Sequence, residues 1–277
     1  MVARSLSRTE ARVVLALEEA AAEDVSLDLI ERYAQVRRGF ARKIAHGLVA
    51  KGWLQRVGRG RYLLNPSANG PEATPETDPL RLGSRLVDPY YFGFATAAEL
   101  WGLLLRPGRT YYLASPRRST SRELGVSRFQ VVHVAPRRFF GTTVVVRRGQ
   151  RVVVSDLERT LLDCLDRPGL SGGLAGVAQV IARAKPRIRW HRLGGHLRRF
   201  GNRRLGARLG FLVERLRPSI PVPRTWAEGL RQRLPETWTP LGSTLLYGER
   251  GERDARWRVV SNVPRAELLA ETDAEAP

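Results

Sequence analysis

The spacing of apolar and polar positions divides the chain into blocks. From Val36 to Lys51 the apolar residues recur at helical spacing. At about 100° per residue, Phe40, Ile44, Gly47, Leu48 and Lys51 share one stripe, with Arg38 and Arg42 on the opposite face. Past Gly52 and Trp53 the period drops to two. Leu54 to Val57 and Arg61 to Leu64 alternate as strands, joined by the turn Gly58-Arg59-Gly60. Upstream, Ser7-Arg8-Thr9-Glu10 has the spacing of a capping box, with Val13, Val14 and Leu17 as the inner face of the helix it opens. Ser26 caps a second helix, Leu27 to Ala34, with Leu27, Ile30 and Tyr33 inward. Three helices followed by a hairpin predict a winged helix-turn-helix. In such a domain the third helix enters the major groove and the hairpin lies on phosphates or in the minor groove.

Asn65 to Pro79 is rich in Pro, Asn and Gly and reads as a linker. Beyond Leu80 the pattern is mixed. A helix follows Gly93, and TYYLA (Thr110 to Ala114) and Phe129 to Val134 are strand candidates. Thr142 to Arg147 and Arg151 to Val154 form a hairpin. Ser155 or Asp156 caps a helix from Leu157 to Asp166 whose buried stripe is Leu157, Leu161, Leu162 and Leu165; Leu174 to Ala184 follows as another helix. His191 to Arg199 and Arg203 to Leu216 are helices in a basic stretch, 187–233. Leu245 to Tyr247 and Trp257 to Val260 resemble a hairpin, and the acidic tail from Glu267 is expected to fray. The fold class expected is α+β: a winged helix-turn-helix over 1–65, a linker over 66–79 and a larger mixed α/β domain over 80–277.

Charge sharpens this picture. The 277 residues carry a formal net charge of +20, with 47 basic residues against 27 acidic. Nucleotide bias can exchange Lys for Arg but creates no net charge, so the excess itself favours a polyanionic partner. Residues 183–233 hold fifteen basic side chains against two acidic ones. From Arg32 to Asn65 there are nine basic residues and no acidic one, whereas Glu18, Glu19 and Glu23 sit on the first helix, on its outer face. Arg38 and Arg42 are the candidates for base edges, since a guanidinium fork meets the two acceptors of guanine. Arg37, Lys43, Arg56, Arg59 and Arg61 are candidates for phosphate contacts. The arginines of 187–233 read equally as the outside of a small helical subdomain or as a further nucleic-acid surface.

Other chemistry is weakly signalled. Asp156, Glu158 and Asp163 could hold a divalent metal in a nuclease. Asp156 serves equally as a helix cap, and Lys185 is the only lysine of that domain. His46, His133, His191 and His196 lack ligand spacing, and no phosphate-cradling Gly-x-x-x-x-Gly-Lys loop is present. Neither a catalytic site, a metal nor a cofactor is expected. Cys164 is the only cysteine, and no apolar run reaches about 18 residues, so a cytoplasmic protein without membrane contact is expected.

Several stretches taken in order resemble the AbiEi antitoxins of type IV toxin–antitoxin systems. They are VRRGFARKIAHGLVAKGWLQRVGRGRYLL, YYFGFATAAELWGL, VVVSDLERTLLDCLDRPGLSGG and RWRVVSN, spread over nearly the whole chain. The resemblance implies an N-terminal domain that binds inverted repeats in its own promoter and represses a two-gene operon. It also implies a C-terminal domain that counteracts a nucleotidyltransferase-like toxin, and no enzymatic activity of its own. The bottom-up rivals are a stand-alone winged-helix regulator and a DNA-targeted metal-dependent nuclease.

Overall fold

A computed structural model describes residues 4–70, 76–104, 108–147 and 149–269. The protein is mixed α+β. It divides into two compact units, Met1–Asp88 with Glu123–Ser127, and Pro89–Arg122 with Arg128–Pro277. Part of the expected linker (71–75), the turn residue Arg148 and most of the acidic tail lie outside the described residues.

In the first unit α1 (Arg8–Glu19) starts at Ser7, whose side chain accepts from the Glu10 amide while Glu10 accepts from the Ser7 amide. The short strand β1 (Asp24–Ser26) leads into α2 (Leu27–Ala34), where Ser26 accepts from the Leu29 amide. Then come α3 (Arg38–Ala50), β2 (Leu54–Gly58) and β3 (Arg61–Leu64). The sheet order is β1-β3-β2, antiparallel throughout, with a bulge between Arg56 and Gly58. Its core joins Val13, Val14 and Leu17 to Ile30, Ile44, Leu48 and Trp53.

The buried stripe of α3 is Ala41, Ile44, Ala45 and Leu48. Phe40 stands 52% exposed, against its expected place at the centre of the inner face. Small Ala41 and Ala45 allow α3 to sit close to α2, and that rotates the larger Phe40 outward. Asn65 and Gly70 are tied back by the Arg4 guanidinium, which donates to both carbonyls and lies 3.8 Å over the Trp53 ring. Helix α4 (Pro79–Ser84) lies in the first unit. Arg81 pairs with Glu23, and Arg85 with Asp24.

In the second unit β4 (Tyr91–Phe92) enters α5 (Phe94–Leu100) and is followed by β5 (Thr110–Ser115) and, after β6 (Arg122–Leu124), whose Glu123 and Leu124 belong to the first unit, by β7 (Ser127–His133). The hairpin β8 (Thr142–Arg147) and β9 (Gln150–Ser155) gives the strand order β7-β5-β4-β9-β8. Helices α6 (Leu157–Asp166), α7 (Gly173–Ala184), α8 (Trp190–Phe200), α9 (Arg203–Arg215) and α10 (Arg224–Arg231) share one large core. The chain closes with β10 (Thr239–Pro240), α11 (Thr244–Tyr247), β11 (Glu252–Asp254), β12 (Val259–Ser261) and α12 (Arg265–Leu269).

The expected pairing of Leu245–Tyr247 with Trp257–Val260 is not formed. Residues 244–247 make a helical turn, with Leu245 92% exposed. Strand β12 instead takes β11 on one side and β10, in parallel, on the other.

Helix α6 is buried all round, not along a single leucine stripe. Glu158, Arg159 and Asp163 are each under 3% exposed. A helix surrounded by others must pair its charges internally. Arg159 donates to Asp163 at 2.9 Å and to the Tyr91 hydroxyl at 3.0 Å. Its guanidinium lies among the rings of Phe140 and Phe200, at 4.5 and 5.0 Å.

Candidate nucleic-acid interface

All seven sequence-predicted contact residues lie on the surface of the first unit. Arg37 occupies the N-cap position of α3, and no side chain caps that end. The first turn of α3 contains no carboxylate, so the partial positive charge of its amides is uncompensated there. Along the outward face stand Gly39, Arg42, Lys43 and His46, all exposed, with Phe40 on one flank. Arg59 is exposed in the hairpin turn. Among the described residues Arg37, Arg42, Lys43 and Arg59 form no ion pair.

The other three are engaged. Arg38 donates to Asp28 at 2.5 Å and to Glu31 at 3.4 Å. The hydrogen bond to Asp28, then the charges of Asp28 and Glu31, push its guanidinium above the ordinary arginine value. The stretch after Arg32 has no carboxylate of its own, but helix α2 brings two to it. The geometric reason is simple: Arg38 lies beside buried Ala45 on the helical wheel, on the flank that faces α2, whereas Arg42 lies further out beside His46. Arg56 donates to the Gly58 carbonyl and Arg61 to the Arg85 carbonyl; both keep their charge unneutralised by these bonds. Lys51 is also neutralised, by Glu10 at 2.6 Å.

Trp53 and Tyr62 are under 10% exposed and support the hairpin from inside. The indole of Trp53 donates to the Arg4 carbonyl. Phe40 is the contact candidate that the sequence pattern concealed. It is exposed because Ala41 and Ala45 occupy the buried side of α3.

The acidic motif of the second unit has other duties. Asp156 caps α6 by accepting from the Arg159 amide, and also lies 2.9 Å from His196 Nε2. Glu158 accepts from the Arg189 amide. Lys185 donates to the carbonyls of Leu216 and Arg217. Among the described residues no group of three or more His, Cys, Asp or Glu side chains is placed to hold a metal ion. No described helix is long and apolar enough to cross a membrane.

The class defined so far is a two-unit α+β protein with a cationic helix-and-hairpin surface on its smaller unit. In fold it is similar to the crystal structure of the RV2827C protein from Mycobacterium tuberculosis, with a TM-score of 0.65 at 19% identity, over 97% of this chain and 96% of that one. No protein-family model and no curated protein matches the sequence.

Proposed function

We propose that the first unit is a winged helix-turn-helix that binds duplex DNA, with α3 in the major groove and the β2–β3 hairpin on the backbone. The chain is then an autorepressor of the AbiEi antitoxin type. It acts in the cytoplasm on operator inverted repeats, and its second unit counteracts a nucleotidyltransferase-like toxin without enzymatic activity of its own. The observation that carries the DNA reading is the set of unpaired cations, Arg37, Arg42, Lys43 and Arg59, exposed on one helix end and one turn. Arginine neutralises phosphates there, and counterion release supplies affinity.

The free position of Arg42 makes it the stronger candidate for base readout. Arg38 joins the interface only by giving up Asp28. Arg42→Ala should therefore weaken binding to a specific duplex by about 1–3 kcal/mol and relax the sequence preference. Arg38→Ala should weaken it less. Competition binding with an operator and a scrambled duplex tests this, and the reverse ranking of the two variants would contradict it. The antitoxin part is tested separately, by co-purification with the product of a neighbouring reading frame.

A further inference from the structure

The second unit contains a cavity of about 490 Å³ between α8, the start of α9 and α10. That size is typical of small-molecule sites. Its floor is apolar, with Leu197, Leu230 and Trp226, and its rim carries Arg198, Arg203 and Arg233. None of the three arginines has an ion-pair partner among the described residues, and all three are exposed. No carboxylate is among the residues that line it.

Two further features suit a ligand. The indole Nε1 of Trp226 is buried and has no acceptor among the described residues. Buried donors are normally satisfied, and this one belongs to a residue that lines the cavity. Trp226 is held in place by the edge of Trp190, with ring centroids 4.8 Å apart, and lies against Gly194. In addition, the thirteen-residue α9 begins at the cavity, with Asn202 and Arg203 on its wall, and adds positive partial charge.

We infer that this cavity binds a nucleoside phosphate. The guanidinium groups suit the phosphates, through charge-assisted and bidentate hydrogen bonds. The apolar floor, with the Trp226 ring, suits the base. A bare anion would leave the floor unused, and an apolar ligand would leave three cations without partners. The inference concerns the second unit alone and is independent of the DNA reading of the first.

Calorimetric titration of the full-length protein at about 0.15 M salt, where exposed charges are screened beyond about 8 Å, provides the test. The probes are ADP, GDP, CDP and UDP in turn, with pyrophosphate and adenosine as fragments. At least one diphosphate should saturate a single site and bind more tightly than pyrophosphate or adenosine. Arg198→Ala and Arg203→Ala should each weaken it on the order of tenfold, the loss of one charge-assisted contact.

Gly229→Leu should abolish binding. A Cβ at Gly229 meets nothing within 4 Å and its backbone is not left-handed, so the added side chain can enter the cavity without strain. Should that variant unfold, the two surface arginine variants carry the test alone. A 5′-phosphorylated oligonucleotide that displaces the diphosphate identifies a strand end as the natural source; failure to displace identifies the free nucleotide. The proposal is overturned if no diphosphate binds, if pyrophosphate binds as well as the best diphosphate, or if well-folded Gly229→Leu binds like the parent.

Discussion

Arg38 and Arg42 are one helical turn apart and meet different partners. Asp28 and Glu31 hold the first, while the second forms no ion pair among the described residues. Glu10 shows how one side chain can serve two elements. It closes the capping box of α1 and pairs with Lys51 at the end of α3. Burial raises its pKa, but the bonds from Lys51 and Ser7 together outweigh this and hold it below the ordinary 4.5. A carboxylate with a lowered folded pKa adds stability that is present above 4.5 and lost as pH falls through the folded value. Glu10→Gln keeps an acceptor for the Ser7 amide but removes this dependence. Urea unfolding between pH 3 and 6, followed by NMR signals of Leu17 and Leu48, should show a flatter acid limb in the variant. An unchanged limb would place the acid sensitivity elsewhere. Cys164 is a simpler case: burial is the main cause that pushes its thiol to about 12, so it should resist alkylation until the second unit unfolds.

Among the elements, α6 contains a buried ion pair, Arg159 with Asp163. Removing one partner of such a pair leaves an uncompensated charge, so Arg159→Met should cost about 3–5 kcal/mol. Arg159→Met with Asp163→Leu should recover much of that loss in a double-mutant cycle measured by denaturant unfolding. Equal loss in the single and double variants would show that the rings around Arg159, not its charge, were decisive. Close packing constrains α9 in the same way. A Cβ on Gly210 would stand 2.1 Å from the Trp257 ring, so Gly210→Ala should destabilise by about 1–3 kcal/mol.

Helix starts were the most legible elements, because Ser7, Ser26 and Asp156 mark them through side-chain bonds to nearby amides. Strands β1, β4 and β10 were not legible. Each spans two or three residues and exists only through pairing with a distant partner. The rotation of α3 was hidden because hydrophobicity ranks Phe40 above Ala41, whereas close approach of two helices favours the alanines. The same tertiary contact determines which arginine of the interface is free. The cavity beside Trp226 had no sequence signature either, since its residues belong to three helices.

At the scale of the whole molecule, the charge of +20 is unevenly spread, and two regions compete to explain any affinity for nucleic acid. One is the α3 and hairpin surface of the first unit. The other is residues 183–233 of the second, with fifteen basic side chains against two acidic ones. Part of the latter charge is already committed: Lys185 to carbonyls, Arg208 to the Pro240 carbonyl, and Arg215 to Asp254. The direct measurement is therefore a titration of full-length protein with a duplex across a series of salt concentrations, repeated with Arg37, Arg42, Lys43 and Arg59 all changed to Ala. Affinity of the parent should fall linearly with the logarithm of salt, with a slope of about −0.9 per phosphate neutralised, and the variant should bind far more weakly with a shallower slope. A parent that binds no duplex at low salt, or a variant whose affinity and slope match the parent's, would contradict the account.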